Sequence, residues 1–67
     1  MKKRSVKIMG HLTSVSLEEP FWDALKKIAE DETLSLNALI AKIDTDRSEK
    51  ENLSSALRVY VLKESQK

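Results

Sequence analysis

The sequence contains no cysteine, and only one histidine, one proline and one glycine among its 67 residues. Without cysteine the fold has no disulfide bond, and with His11 as the only histidine we expect no metal site and no cofactor. A chain of this length has a small core, which rarely supplies more than about 3–5 kcal/mol of net stability without further support. Self-association is the form of support that the composition leaves open.

Signals of catalysis and of membrane insertion are also missing. There is no glycine-rich phosphate loop, no paired-histidine motif and no cysteine nucleophile, so the sequence does not indicate an enzyme. The apolar runs fall far short of the ~18 residues of a membrane span. Lys2, Lys3 and Arg4 resemble the charged start of a signal peptide, but no apolar segment follows them. We therefore expect a cytoplasmic protein.

The positive charge of the chain is concentrated at its beginning. The net charge is only +1, yet residues 1–17 contain no acidic residue and have the basic residues Lys2, Lys3, Arg4 and Lys7. In a dimer, two such segments would lie together. Residues 1–10 are interpreted as a basic N-terminal arm, which is either simply solvated or contacts phosphate groups.

The stretch HLTSVSL, residues 11–17, alternates in the manner of a β-strand. One face has His11, Thr13, Val15 and Leu17, and the opposite face has Leu12, Ser14 and Ser16. The N–H and C=O groups of a lone strand need a hydrogen-bonding partner. Residues 5–9 alternate weakly and could add a strand, and a second copy of the chain is the other source of a partner.

Two helices are predicted after this strand. Pro20 fits the first turn of a helix from about Glu18 to Asp31, with an apolar stripe formed by Phe21, Ala24, Leu25 and Ile28. Ser35 is a good N-cap for a second helix over about residues 36–43 or a little beyond. Its apolar positions recur at helical spacing and are Leu36, Leu39, Ile40 and Ile43.

A third helix is predicted over about residues 53–64, with Asn52 as its N-cap. The preceding residues 44–52 are highly charged and form either a loop or a solvated extension of the second helix. The third helix is apolar on more than one side, which is typical of a helix buried against two partners. Its segment RVYVL could instead form a short strand.

The order of strand, helix, turn and helix after a basic arm resembles the ribbon-helix-helix family of dimeric DNA-binding proteins. The stretch TSVSLEEPFWDALKKIAEDETLSLNALI resembles the Arc pattern without a gap. The segments RSVKIMGHLTSVSLEEPFWDALKKIA, LSLNALIAKID and NLSSALRVYVL are similar to a small bacterial ribbon-helix-helix subgroup. The resemblance covers about residues 4–62.

The resemblance implies a mainly α fold with one β-strand, in a domain that spans residues 11–64 and includes the additional C-terminal helix. In the family, the strand pairs antiparallel with the same strand of a second subunit, and the helices of the two subunits intertwine as a homodimer. The residues implied for the shared core are Thr13, Val15, Leu17, Phe21, Leu25, Ile28, Leu36, Leu39, Ile40, Ile43 and Leu57.

The resemblance also implies a DNA-binding surface. Leu12, Ser14 and Ser16 would face the major groove, where family members often have Arg, Lys, Asn or Gln, so we expect little base discrimination from this strand. The start of the second helix would hold a phosphate at Ser35, Leu36 and Asn37. Phosphate contacts are also expected from the basic arm, through Lys2, Lys3, Arg4 and Lys7.

A small transcriptional regulator is the function that these features favour. The alternative is a protein-interaction module, antitoxin-like or a scaffold dimer, that binds a partner protein through the third helix. Among the remaining residues, Trp22 is expected in core or dimer packing. Tyr60 is expected in the core with its hydroxyl at the rim. Arg58 is expected to be solvated or in a salt bridge within the dimer.

Overall fold

The computed structural model describes residues 1–47 and 51–66. Two antiparallel strands, β1 (Lys2–Ile8) and β2 (His11–Leu17), precede the helices α1 (Glu19–Asp31), α2 (Leu36–Asp46) and α3 (Leu53–Ser65). The strand predicted at residues 11–17 and the three helices are confirmed, and the RVYVL segment is helical. Within the described ranges, no helix is long and apolar enough to cross a membrane.

The partner of β2 is β1 of the same chain. The strands are joined by the two-residue turn Met9–Gly10, in which φ is 53° and 83°. Positive φ at both central residues is the requirement of a type I′ turn, whose twist matches that of a hairpin. Of the two sources of a partner that the sequence left open, the structure thus shows a strand of the same chain, in addition to the one strand that the resemblance implied. Residues 2–8 of the predicted arm form a strand, which includes much of the weakly alternating segment 5–9.

The sheet covers the helices with one face. β1 lies over α2, β2 lies over α3, and α1 packs against both of these helices. Buried side chains from all five elements form a single apolar cluster: Val6, Ile8, Val15, Leu17, Trp22, Leu25, Ala29, Leu39, Ile40, Ile43, Ala56 and Leu57. Most of the residues that the resemblance implied for a shared dimer core are thus buried within one chain. Phe21, Ile28 and Leu36 are half-buried, and Thr13 is exposed.

The buried face of α1 differs from the predicted stripe. Trp22 is only 1% exposed and lies in the core with Leu25 and Ala29, whereas Phe21 and Ile28 lie at the core margin. The indole N–H of Trp22 donates a 2.9 Å hydrogen bond to the carbonyl oxygen of Lys2. A buried indole needs such an acceptor, and β1 supplies it. The prediction that Trp22 is a packing residue is confirmed for its own chain.

The turn between α1 and α2 closes without glycine. Thr33 has a φ of 56°, and Leu34 N–H donates to the carbonyl of Ala29, as in a Schellman motif. Ser35 then caps α2 by accepting a 3.0 Å bond from Ala38 N–H, as predicted. Asn52 caps α3 in the same way through Ser55 N–H. Of the predicted loop or helix extension at residues 44–52, α2 takes up residues 44–46, and residues 48–50 lie outside the described ranges.

Candidate nucleic-acid interface

The face of the hairpin that points away from the helices combines residues from both strands. The register pairs Lys3 with Ser16, Ser5 with Ser14 and Lys7 with Leu12. Directly opposed residues of an antiparallel pair project from the same face. We call this surface the outward face, and it consists of Lys3, Ser5, Lys7, Leu12, Ser14 and Ser16. All of these residues are exposed except the half-buried Ser16.

The outward face is therefore cationic, although β2 contributes only Leu12 and two serines to it. Sequence reasoning placed Lys3 and Lys7 on a separate arm, and the register instead places them beside the residues of β2. Together the two strands place two ammonium groups, three hydroxyl groups and one leucine on this face. Lysine can contact phosphate oxygens or guanine acceptors, and serine can donate to or accept from base edges.

The other two predicted arm cations, Lys2 and Arg4, occupy the opposite face of β1. The ammonium group of Lys2 lies 3.9 Å from a carboxylate oxygen of Glu19. The guanidinium of Arg4 is 5.6 Å from the ring centroid of Trp22, within the range of a cation–π contact. The strand's alternation thus divides the predicted group of four: Lys3 and Lys7 belong to the outward face, and Lys2 and Arg4 contact α1.

The start of α2 is hydrogen-bonded to the outer edge of β1. The amide of Asn37 accepts a 2.9 Å bond from the N–H of Lys7 and donates a 2.5 Å bond to the carbonyl of Lys7. The first N–H groups of a helix, here those of Leu36 and Asn37, have no intrahelical acceptor. The predicted phosphate-binding helix start is thereby held next to a lysine of the outward face. The side chain of Asn37 is hydrogen-bonded to the strand, a contact that no local sequence pattern indicates.

The outer edge of β2 is open. A two-residue turn makes Ile8 and His11 the hydrogen-bonded closing pair, so the backbone groups of Leu12, Ser14 and Ser16 point away from β1. Within the described ranges, none of these groups has a hydrogen-bonding partner. A groove runs beside this edge, between Thr13 and the first turn of α3 at Ser54. An open strand edge of this kind can pair with another chain.

An ion pair fixes α3 next to the hairpin. Both carboxylate oxygens of Glu18 accept hydrogen bonds from the guanidinium of Arg58, at 3.0 and 3.2 Å. These bonds hold the pKa of Glu18 below its ordinary value. Of the two predictions for Arg58, the salt bridge is present, and it lies within one chain. Tyr60 is half-buried and donates a hydrogen bond of 3.2 Å to Glu32.

A sequence model described as a ribbon-helix-helix domain matches residues 1–65 of the chain. The chain belongs to the ribbon-helix-helix family. Neither the curated proteins nor the solved structures that were searched include a match to it. The observed architecture, a two-stranded ribbon followed by helices, agrees with the fold of the ribbon-helix-helix family, and here both strands come from one chain.

Ribbon-helix-helix domains are generally DNA-binding transcription regulators or antitoxins, and the fold is non-enzymatic. Members of the family typically form homodimers. The matched range includes β1 and α3 as well as the ribbon-helix-helix segment proper.

Proposed function

We propose that this chain is a DNA-binding protein that acts as a small transcriptional regulator in the bacterial cytoplasm. The observation that carries the proposal is the outward face, on which Lys3 and Lys7 stand beside Leu12, Ser14 and Ser16. A two-stranded ribbon of this width fits the major groove of B-form DNA. The family's general association with DNA supports the same conclusion.

Phosphate contacts would supply most of the affinity. Lys3 and Lys7 provide charge on the outward face, and the free N–H groups of Leu36 and Asn37 provide an anion site at the start of α2. Because Asn37 is bonded to the backbone of Lys7, both features would approach the same DNA backbone. Base discrimination would come from Lys7, Leu12, Ser14 and Ser16. Lys2 and Arg4 would add to the local potential without contacting the bases.

We propose that the protein binds DNA as a homodimer formed at the outer edge of β2. Antiparallel pairing of β2 with the β2 strand of a second copy would join two hairpins into a four-stranded sheet, in which the two central β2 strands form the ribbon that enters the major groove. The unpartnered backbone groups of Leu12, Ser14 and Ser16 support this arrangement. The two outward faces would then form one continuous surface with twice the charge of one chain.

Fluorescence anisotropy of a labelled random duplex, titrated at low and near-physiological salt, tests the proposal. We expect binding at low salt that weakens steeply as salt is added, because bound lysines displace condensed counterions. Lys3→Ala with Lys7→Ala should weaken binding and reduce the salt slope. The matched control is Lys26→Ala with Lys27→Ala, which removes the same charge from the exposed side of α1. Equal losses in both double variants would remove the outward face from the proposal.

The second candidate function is a protein-interaction module. It is favoured by Val59 and Leu62 of α3, which are 40% and 56% exposed beside the half-buried Phe21 and Val61. A folded protein that binds no duplex at either salt would favour this function. Val59→Ser with Leu62→Ser should then prevent co-purification of the partner from native cells, whereas DNA binding should be insensitive to the same change.

A further inference from the structure

One apolar side chain stands at the turn end of the otherwise polar outward face. Leu12 is 76% exposed, and its neighbours on that face are Lys7 across the strand and Ser14 along it. At this position the leucine side chain buries only a small part of its surface against the rest of the chain. Its side chain instead gives the cationic surface one apolar contact point.

Leu12 and Lys7 form a defined pair. Two residues from the turn, they are directly opposite each other in a position where the strands exchange no hydrogen bonds. Side chains of such pairs are close, with Cβ atoms about 4.5–5.5 Å apart. The aliphatic part of Lys7 can pack along Leu12 while its ammonium group stays in water. The outward face therefore presents an apolar group and a cation side by side.

Asn37 fixes the position of this pair. Its two hydrogen bonds to the backbone of Lys7 attach the end of β1 to α2. A type I′ turn adds a further constraint two residues away. The outer edge of β1 at Lys7 is thus bonded to α2. These bonds set the distance between the Leu12–Lys7 pair and the N–H groups at the start of α2.

We infer that Leu12 and Lys7 read a thymine next to a guanine in the major groove. The C5-methyl group of thymine is the one apolar feature that unmodified base edges present there. Guanine presents O6 and N7, which accept hydrogen bonds from lysine. Leu12 packs against the methyl group, and Lys7 donates to the guanine acceptors. The inference rests on the proposed DNA binding and assigns a base preference to it.

The test uses a duplex selected from a random library by the unmodified protein. Each thymine of the selected duplex is replaced in turn by deoxyuridine, which removes the methyl group and leaves base pairing unchanged. We expect about fourfold weaker binding at each contacted position, the value for one methyl group removed from water. Replacement of an adjacent guanine by 7-deazaguanine, which lacks the N7 acceptor, should also weaken binding.

Leu12→Ala should remove the sensitivity to deoxyuridine while retaining salt-dependent binding of random duplexes. Lys7→Ala should remove the sensitivity to 7-deazaguanine. Met9→Ala is the matched control, because Met9 is an equally exposed apolar residue, 81% exposed, in the turn rather than on the outward face. This variant should keep the full effect of both base replacements.

The outcomes separate the inference from the function on which it rests. If no duplex is bound, both fail. If random duplexes are bound but selection yields no preference, or if deoxyuridine has no effect, the base assignment is overturned and DNA binding stands. If Met9→Ala abolishes the deoxyuridine effect and Leu12→Ala does not, the apolar contact belongs to the turn and the assignment to Leu12 is wrong.

Discussion

Glu18 and Arg58, forty residues apart, form a two-point ion pair with N–O distances of 3.0 and 3.2 Å. Glu18 is the N-cap residue of α1, directly after β2, and Arg58 lies in the middle of α3. The guanidinium also stands 6.0 Å from the ring centroid of Phe21. The third helix is thereby attached to the point at which the ribbon becomes a helix.

This ion pair predicts a specific dependence of stability on pH. The hydrogen bonds from Arg58 lower the pKa of Glu18 from its ordinary value of 4.5. The contribution of the pair to the free energy of unfolding is complete above that value. It is lost as the pH falls through the lowered pKa of the folded state, because the unfolded chain binds the proton first. Arg58→Ala should reduce the fall in melting temperature between pH 6 and about pH 3.

Lys63→Ala is the control for this measurement, because it removes one positive charge from the same helix without contacting Glu18. Thermal unfolding of both variants should be followed by circular dichroism at several pH values. A melting curve for Arg58→Ala that depends on pH as steeply as that of the unmodified protein would contradict the assigned role of the pair.

The open edge of β2 predicts which proline substitution blocks dimer formation. The N–H groups of Ser14 and Ser5 both point away from the hairpin, Ser14 at the outer edge of β2 and Ser5 at that of β1. Proline is tolerated at edge positions of this kind. Ser14→Pro should give a folded monomer, since it removes a donor from the proposed interface. Ser5→Pro should leave the dimer intact, as measured by light scattering after size-exclusion chromatography.

The positive φ of Thr33 indicates a position at which glycine should stabilise the protein. Its φ of 56° is unfavourable for a β-branched residue and costs about 1–2 kcal/mol. Thr33→Gly should remove this strain and, after the entropic cost of glycine, raise the free energy of unfolding by about 0.5–1 kcal/mol. Urea denaturation measures the change. Thr45→Gly, in the last turn of α2 where the backbone is helical, is the control and should destabilise the protein.

Loss of the Asn37 side chain should destabilise the ribbon without loosening the rest of the fold. Asn37→Ala removes two exposed hydrogen bonds to Lys7 and should cost about 1–2 kcal/mol. Asn37→Asp keeps the acceptor for the N–H of Lys7 and should cost less. Hydrogen exchange should show faster exchange at Lys7 in Asn37→Ala and unchanged protection in α3. Uniformly faster exchange would indicate a general loss of stability instead.

Tyr60 is the only tyrosine of the chain, so its ionisation can be followed directly by absorbance. Burial and then the hydrogen bond to Glu32 raise the pKa of Tyr60 from 10.0 to about 12. Its contribution to stability is complete below pH 10 and is lost as the pH rises through about 12. Glu32→Gln should lower the midpoint of the titration, whereas Glu30→Gln, on the exposed side of α1, should leave it unchanged.

Much of the local structure could be predicted because it depends on short-range chemistry. The N-caps Ser35 and Asn52, the place of Pro20 in the first turn of α1 and the alternation of residues 11–17 all depend on neighbours within a few residues. The spacing of apolar residues in α2 identified its buried side chains Leu39, Ile40 and Ile43. These features determine the order of the elements.

The sequence indicates the first strand only in part, as the weak alternation of residues 5–9. Val6 and Ile8 are apolar at alternate positions and lead into a turn with Gly10, but Lys2, Lys3 and Arg4 suggested an arm. The long side chains of lysine and arginine are compatible with an exposed strand as well as with a solvated arm. The pairing with β2 could have been recognised from the two-residue turn, which is typical of a hairpin.

The sequence by itself determined the helices, their caps, the strand at residues 11–17 and the membership of a family. Only the tertiary structure decided that Lys3 and Lys7 share a face with Leu12, that Lys2 and Arg4 lie against α1, and that Phe21 lies at the margin of the core. The reason is physical. The register of a strand and the rotation of a helix depend on hydrogen bonds and packing with distant segments, such as the contact of Asn37 with Lys7. Local sequence patterns do not specify such distant contacts.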